Sequence, residues 1–332
     1  MEHLLHVQNM KKHYLSSQKA KNILDSLPKT LKRLNFKAEP ILDVGKNKLN
    51  SSEDRKTIKN ENYIIPDQIT QWIEKFGICD DILREARRKG GRYERLGPSL
   101  YIDDIKMLIN TPEDIAVACN RQRISEVKHL SISHSDPDHV RGIRIVEKIG
   151  CDFIKGTSMP IGFYALPEVI RDINQMNRDC FKYYGDVLHC ISVNETPHIK
   201  IDNIDIDLIN NNPSRNITFY VLKEHEKKVI YACCNPKPFA HNDLYFDADI
   251  LIISMVSDDG ILNDGTKLMD TPLKDEIFTL DEVIELKNYY RIKKIIVTHI
   301  DEIWGKSYGY YKELEKELDN ILFAYDGMEI MV

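Results

Sequence analysis

The chain has 332 residues, of which 42% are hydrophobic and 30% charged, so it can build a sizeable core and a globally disordered chain is excluded. Its 46 Lys and Arg against 52 Asp and Glu give a formal charge of −6, which argues against a protein that mainly coats nucleic acid. No apolar run approaches the roughly 20 residues that span a bilayer, so a membrane protein is not expected.

The N-terminal part of the chain is predicted to be an accessory segment. Residues 1–60 carry 13 Lys and Arg against 6 Asp and Glu, a net charge of +7, and the polar stretch near 46–62 is typical of a linker. We therefore expect a basic, partly helical segment over 1–65 and the main domain over 66–332. The basic segment could be a solvated face, a dimer contact or a docking surface for a protein partner.

The start of the chain and its cysteines indicate the compartment. The first residues lack the long apolar stretch and the small-residue cleavage site of a signal peptide. The seven cysteines are scattered and odd in number, which suits reduced thiols better than a disulfide framework. The sequence therefore predicts a cytoplasmic protein.

The main domain reads as a mixture of helices and strands. In chain order the pattern predicts helices over 66–76 and 80–89, strands over 99–102, 105–109 and 128–132, helices near 140–149 and 164–175, strands over 187–193, 198–202, 204–209, 216–222, 228–232 and 249–254, a helix near 280–290, a strand over 293–298 and a helix near 308–320. The first two strands would form a hairpin through Asp103 and Asp104. Thr111 before Pro112 predicts an N-cap, and Thr279 begins a capping box. The predicted class is α/β, with strands covered by helices.

Three predicted strands end in side chains that can bind a metal ion. These side chains are His134, Asp136, Asp138 and His139 after the strand over 128–132, Cys233 and Cys234 after 228–232, and His299 after 293–298. Functional groups of α/β sheets collect beyond the carboxyl ends of the strands. We therefore expect imidazole, carboxylate and thiol donors to converge there.

The loop after the first of these strands is the densest cluster of donors. A spacing of two would place His134, Asp136 and Asp138 on one side of an extended segment. His139 would then face the other side, an arrangement that suits two neighbouring ions or one ion with a hydrogen-bonded surrounding shell. Gly142 permits a tight entry into the next helix. The alternative is a polar loop in which Asp138 caps that helix.

These motifs resemble a known family. LSISHSDPDHVRGI is similar to the metal-binding signature of the metallo-β-lactamase superfamily, His-x-His-x-Asp-His followed by Gly. IIVTHIDEIWGKS resembles the final metal histidine of its phosphoribosyl 1,2-cyclic phosphate phosphodiesterase branch, and AYDGMEIMV the closing strand. REARRKGGRYERLGPSLYI resembles the stretch after that branch's structural zinc site, and VIYACCNPKPF takes the place of its Tyr-x-x-Asp-Thr loop. The resemblance covers residues 77–332 and implies a metallo-β-lactamase-like αββα sandwich with an extra N-terminal segment.

The chain departs from the family pattern at several ligand positions. Asp136 stands where the second histidine is expected, as the glutamate does in the flavo-diiron branch, and Asn211 or Asn212 replaces a later histidine. Of the structural-zinc cysteines only Cys79 remains. Cys234 falls on the bridging aspartate, where it could be a thiolate ligand or a small buried hydrophobe.

Carried over residue by residue, the resemblance leaves one metal position intact. Asp138, His139 and His299 would bind Zn, Mn or Fe with open positions. His134 and Asp136 could complete a second, oxygen-rich site or carry a proton. The expected cofactor is therefore one or two divalent ions.

Other charged residues could hold the substrate. Asn212, Arg215 and Lys237 lie close to the ligand loops and are predicted to bind a small molecule, in particular a phosphorylated one. A basic run could bind a phosphate or form a solvated helix face, and it consists of Arg84, Arg87, Arg88, Lys89, Arg92 and Arg95.

Three functions remain open at this point. The resemblance favours a metal-dependent hydrolase of a phosphodiester or cyclic phosphate, in which Asp138 ligates and orients a water and Asp136 or His134 assists. The alternative is an Fe-dependent oxygenase, because the superfamily includes a member of pyrroloquinoline quinone biosynthesis with an altered motif and iron chemistry. The third is a relative that binds a ligand or partner without catalysis.

Overall fold

The computed structural model describes residues 80–332 apart from residues 233 and 255. The predictions that lie outside the described residues are the accessory segment over 1–65, the helix over 66–76 and those for Cys79 and Cys233. Among the described helices, none combines the length and the apolar character that crossing a membrane requires.

The described residues contain both helices and strands. The helices are α1 (Asp80–Lys89), α2 (Ile115–Arg121), α3 (Pro137–Val140), α4 (Ile145–Gly150), α5 (Pro167–Met176), α6 (Cys180–Lys182), α7 (Leu280–Tyr289) and α8 (Tyr308–Leu314). The strands are β1 (Leu100–Ile102), β2 (Met107–Ile109), β3 (His129–Ser131), β4 (Cys151–Asp152), β5 (Thr157–Ser158), β6 (Ile161–Ala165), β7 (Ile191–Glu195), β8 (His198–Ile201), β9 (Ile204–Asn212), β10 (Ile217–Glu224), β11 (Lys227–Ala232), β12 (Ile250–Ser254), β13 (Val256–Ser257), β14 (Phe278–Thr279), β15 (Lys294–Thr298) and β16 (Ile321–Phe323).

Two large sheets contain the longer strands. The first has five strands in the order β1-β2-β3-β6-β7, parallel except for the β1–β2 hairpin. The second has seven strands in the order β16-β15-β12-β11-β10-β9-β8. In it β16, β15, β12 and β11 run parallel, and β11, β10, β9 and β8 form an antiparallel meander. The candidate ligands follow the carboxyl ends of β3, β11 and β15.

The two sheets face each other across an apolar core. Ile109 of the first sheet shares one buried cluster with Ile252 and Ile296 of the second. The hydroxyls of Ser131 and Tyr220 lie 2.9 Å apart, and this hydrogen bond joins the sheets directly. The predicted α/β class is therefore confirmed, and the sandwich holds its polar strand ends in a fixed relation to each other.

The second sheet is buried on both faces. Alternate residues of β12, Leu251 and Ile253, pack in a second cluster with Val283 of α7. Side chains of successive strand residues point to opposite faces, which is why an apolar run such as ILIIS fits this position. Helix α7 begins with the predicted capping box, in which Thr279 and Glu282 each accept a hydrogen bond from the other's main-chain N–H.

Several local predictions are wrong in detail. Thr111 does not cap a helix, because α2 begins at Ile115 with Asp114 at its N-cap. The hairpin turns through four residues, 103–106, rather than two. The strand that the family resemblance indicates within the last nine residues lies earlier, at β16.

Two further differences arise around β6 and β7. Residues 161–165 form a strand where the sequence pattern predicts, in part, a helix, and α5 begins only at Pro167. The strand predicted over 187–193 begins at Ile191, because residues Tyr183–Val187 form a π-helical turn. In both places a short strand adjoins a helix, so apolar spacing alone does not separate them.

Candidate metal centre

Helix α3 presents two of the predicted ligands. Pro137 is its first residue, where proline is favoured, and Asp136 before it is extended, with φ −60° and ψ 144°. The sequence predicts an extended segment in which Asp138 faces the same side as His134. That prediction is wrong, because the helical turn sets Asp138 beside His139, with its Oδ2 3.2 Å from the Nε2 of His139.

The segment after β2 holds this loop through main-chain hydrogen bonds. The main-chain N–H of Thr111 donates to the carbonyl of His139 at 2.8 Å, and the N–H of Gly142 donates to the carbonyl of Thr111 at 2.7 Å. A Cβ on Gly142 would lie 2.0 Å from the carbonyl oxygen of Pro112. Glycine is therefore required at the entry to the following helix, as the sequence indicates.

His299 meets the loop from the second sheet. Its Nε2 lies 3.1 Å from Oδ2 of Asp138, and its ring lies 5.5 Å from that of His139. The donor atoms of these three residues all lie within 4.8 Å of one another. The structure thus brings together the three side chains that the sequence predicts for the intact metal position.

The protonation states of this group suit a cation. Burial alone would raise the pKa of Asp138, but the imidazoles of His139 and His299 outweigh it and hold that pKa well below its usual range. Burial lowers the pKa of His139 to about 4, and the nearby carboxylate only partly offsets this. An anionic carboxylate and a neutral imidazole are the forms that bind metal.

A second group of donors adjoins the first. His134, His139 and Cys234 are all buried, and their donor atoms lie within 4.8 Å of one another. The Nε2 atoms of both histidines are buried and make no hydrogen bond. Buried polar atoms in native proteins are nearly always satisfied, so two such nitrogens beside a thiol fit a site for a soft or borderline metal ion.

Asp136 lies at the rim of the two groups. Its Oδ2 is 3.3 Å from Nε2 of His134 and 3.4 Å from Nη2 of Arg215. His134 lowers the pKa of Asp136, and the charge of Arg215 adds to this effect against the opposing effect of burial. Asp136 is therefore an anion that faces the centre without belonging to either group of three.

Arg215 lies at the rim of the centre, and its positive charge is divided between two carboxylates, those of Asp136 and Glu276. Its Nη1 lies 3.1 Å from Oε2 of Glu276, and its Nη2 contacts Asp136. The side-chain oxygen of Asn235 accepts from both Nη atoms, at 2.8 and 2.9 Å. The side chain is held in a fixed position, and its predicted contact with substrate stays a prediction.

The other two predicted substrate residues are also engaged. Lys237 pairs with Oε1 of Glu282 at 2.6 Å and lies 5.3 Å from the ring centre of Phe278. Asn212 accepts from the main-chain N–H and the hydroxyl of Ser214, at 3.2 and 2.6 Å, which closes a turn. These contacts position the loops around the centre, and a role in substrate binding stays a prediction for both.

Arg95 from the basic run contacts the loop that follows His299. Its Nη1 lies 3.4 Å from the carbonyl oxygens of Ile300 and Asp301, and its Nη2 donates to the carbonyl of Lys306 at 2.6 Å. The sequence leaves two interpretations of the basic run, a phosphate site or a solvated helix face. This partly buried side chain fits neither interpretation.

The sequence does not mark Asn110 or Ser133 as supports of the candidate ligands, and it marks Asn211 only as standing in the place of a histidine. Asn110 accepts two hydrogen bonds from Ser133, next to His134. Asn211, one of the two asparagines in the place of a histidine, is buried and bonds the 238–240 segment through both ends of its amide. The residues they contact are distant in sequence, so no local pattern indicates these contacts. The one available signal is that each is a polar residue at the end of a strand.

Comparisons with known proteins agree with this architecture. No protein-family model matches the chain, and no curated protein matches it. The crystal structure of a diphosphatase from the PhnP family aligns with a TM-score of 0.55 and 17% identity, over 73% of this chain and 86% of that one. Zn²⁺-bound PqqB from Methylobacterium extorquens aligns with a TM-score of 0.53 and 16% identity, over 76% and 93%. Both are metallo-β-lactamase fold proteins, and this chain has that fold, as its sequence predicts.

Proposed function

We propose that the chain is a metal-dependent hydrolase that acts on a phosphodiester or a cyclic phosphate. The observation that carries this proposal is the meeting of Asp138, His139 and His299, although 161 positions separate the first from the last. The same fold in a protein named a diphosphatase supports hydrolysis as the class of reaction.

The donors present fit a divalent ion. Asp138, His139 and His299 would hold Zn, Mn or Fe, and His134 with Cys234 would complete the centre. A neutral imidazole offers one lone pair, and His139 belongs to both groups, so the arrangement favours one shared ion over two independent ones. When bound, such an ion lowers the pKa of water to about 7 and polarises a phosphoryl oxygen.

The protein's own side chains would orient the reactants. Both imidazole contacts of Asp138 fall on Oδ2, so we assign Oδ1 the proton of the attacking water. Asp136, held by His134 and Arg215, is a second carboxylate at the rim that could take up a proton. Arg215 would offset the negative charge of the substrate from a position fixed by Glu276.

A second candidate function is favoured by the same donors. Two histidines and one carboxylate with open positions are the ligand set of non-haem Fe(II) oxygenases. An Fe-dependent oxidative enzyme is therefore the alternative to the hydrolase. The metal retained and the consumption of oxygen separate the two.

The test is a metal analysis combined with two assays. Protein purified without oxygen is analysed for zinc, manganese and iron, then assayed with bis(p-nitrophenyl) phosphate and in an oxygen electrode. For a hydrolase we expect turnover without oxygen uptake, and a loss of about 100-fold or more in Asp138→Asn. The exposed Asp104→Asn serves as the control and should keep full activity. Iron with oxygen uptake, or an unimpaired Asp138→Asn, would contradict the hydrolase.

A further inference from the structure

A row of hydrogen bonds connects His134 to the end of β2. The Oδ1 of Asn110 accepts from the main-chain N–H of Ser133 at 2.9 Å and from its hydroxyl at 2.9 Å. The Oγ of Ser133 in turn lies 2.9 Å from Nδ1 of His134. All three residues are buried, with at most 1% of their surface exposed, so bulk water does not compete for these bonds.

The direction of each bond follows from the number of hydrogens available. A main-chain N–H can only donate, so Asn110 must turn its side-chain oxygen, not its amino group, towards Ser133. The hydroxyl of Ser133 has one hydrogen, which it donates to that same oxygen. Its Oγ can then only accept from His134. The hydrogen of the imidazole must therefore be on Nδ1.

We propose that Asn110 and Ser133 are positioning residues that fix His134 as the Nδ1–H tautomer and direct the lone pair of its Nε2 into the metal centre. That nitrogen is buried and makes no hydrogen bond. Asp136 is the competing group, since its Oδ2 lies 3.3 Å from Nε2, but no hydrogen bond joins the two atoms. The tautomer is a property of the protein alone, and only its effect on metal affinity rests on the proposed function.

Asn110 is well suited to this role. Its φ of 69° is in the left-handed region, which asparagine tolerates better than most residues. Its own N–H donates to the carbonyl of Ser131 at 2.8 Å, and the next residue, Thr111, donates to the carbonyl of His139 at 2.8 Å. One short segment thus holds His134 through a side chain and His139 through the main chain.

The experiment reads the tautomer without activity or metal. Long-range ¹H–¹⁵N spectra of the metal-free full chain, recorded at about pH 8 where imidazole is neutral, distinguish the two tautomers, and His134→Gln identifies the signal. We expect the Nδ1–H form in the wild type, a loss of this preference in Ser133→Ala, and its inversion in Asn110→Ala, where the released hydroxyl can donate to Nδ1. Hydrogen on Nε2 in the wild type overturns the proposal, whether or not the variants fold.

A matched control separates the hydrogen bond from a general loss of buried polarity. Ser131→Ala removes a buried hydroxyl two residues away that contacts Tyr164 and Tyr220 rather than a histidine. We expect it to leave the His134 signal unchanged. If Ser133→Ala and Asn110→Ala have the same tautomer ratio as Ser131→Ala, the proposal is overturned.

Zinc affinity supplies the second readout. In competition with a chelator, Ser133→Ala should bind zinc about 10–100-fold more weakly than Ser131→Ala. Equal affinities of the two variants would overturn the link between Ser133 and the metal centre. If the wild type binds no zinc, manganese or iron, the proposed function fails, and the tautomer measurement alone still decides whether Asn110 and Ser133 position His134.

Discussion

Cys234 gives the candidate metal centre a donor of a different chemical kind. It is buried, with 4% of its surface exposed, and its sulfur lies within 4.8 Å of donor atoms of His134 and His139. A thiolate favours Zn and other soft or borderline ions, whereas the group around Asp138 also suits Mn and Fe. The identity of the bound ion therefore depends on whether this sulfur is a ligand.

Replacement of Cys234 tests its role directly. A thiolate bound to Co²⁺ gives a charge-transfer band in the near ultraviolet, which we expect in the Co²⁺ form of the wild type and of Cys119→Ser. Cys119 is a matched control because it is also buried, in α2. Cys234→Ser should lose the band and bind zinc about 10–100-fold more weakly. A band that persists in Cys234→Ser would leave this residue as a small buried hydrophobe.

Asp326 is a partly buried carboxyl group that makes stability depend on pH. Burial raises the pKa of Asp326 to about 6, although the N–H of Leu96 at 3.0 Å and the charge of Arg121 oppose this. The folded protein therefore keeps a proton that the unfolded chain releases near pH 4. Since the folded state binds more protons in this range, its stability falls as the pH rises from about 4 to about 6.

The variant Asp326→Asn should remove this dependence. It keeps an oxygen for the N–H of Leu96 but has no charge to bury. We expect its free energy of unfolding to exceed that of the wild type by about 1–3 kcal/mol at pH 7, and by much less at about pH 4.5. Urea unfolding at both pH values measures this, with the exposed Asp104→Asn as control. A difference that is equal at both pH values would contradict the assignment to Asp326.

At the scale of elements, one guanidinium joins the segment before β1 to the loop after β15. Arg95 contacts three carbonyl groups in residues 300–306, directly after His299. His299 itself has a φ of 49°, a left-handed conformation that a residue with a side chain keeps only where its surroundings hold it. We therefore expect Arg95 to help hold the backbone that directs this imidazole at Asp138.

Loss of this side chain should affect the metal centre as well as stability. Arg95→Met removes the side chain that donates to three carbonyls, so we expect the free energy of unfolding to fall by about 1–3 kcal/mol and zinc affinity to fall about tenfold. Arg92→Met is the matched control, because Arg92 is exposed and contacts the hydroxyl of Tyr308, at 3.4 Å, rather than the carbonyls of residues 300–306. Urea unfolding and chelator competition measure both effects. Equal zinc affinity in the two variants would show that Arg95 does not position His299.

The elements that the sequence predicts well are those whose pattern is local. The apolar runs of β12 and β15 and the capping box of Thr279 and Glu282 each depend on residues a few positions apart. The prediction that Thr111 caps a helix is wrong because a threonine before a proline also occurs in an irregular segment. Here that segment uses its main chain to bind a loop that is distant in sequence. Its N–H bonds to the carbonyl of His139, which no local pattern indicates.

At the scale of the whole molecule, the described residues contain two large apolar clusters and a small third one. The first cluster includes Leu100 as a partly buried member, and the second begins at Ile217. Both clusters draw their members from described residues after 99. The division into an accessory segment over 1–65 and a main domain over 66–332 stays a prediction.

Removal of the accessory segment tests that division. We expect a chain that begins at residue 66 to unfold cooperatively and to bind the same number of metal ions as the full chain. Circular dichroism during heating and metal analysis measure the two properties. A truncated chain that fails to fold would contradict the proposed boundary.

The fold and the ligands follow from different kinds of information. Burial patterns survive extensive substitution, which is why a chain with 16–17% identity to PqqB and the PhnP-family diphosphatase shares their fold. The candidate ligands are single side chains, and three of them, Asp138, His139 and His299, could be predicted from motifs. Their mutual contacts could not, because these depend on the turn that begins at Pro137 and on where β15 ends.

The tight contact at Gly142 has a consequence for how such a centre can change over evolutionary time. Pro112 leaves no room for even a methyl group at that position, so any larger residue there would force the backbone beneath the donors to shift. New chemistry must then arise by exchanging one side chain for another on an unaltered frame. A carboxylate at position 136 and a sulfur at position 234 would be exchanges of this kind, if the histidine and aspartate that the family resemblance implies there are the ancestral residues.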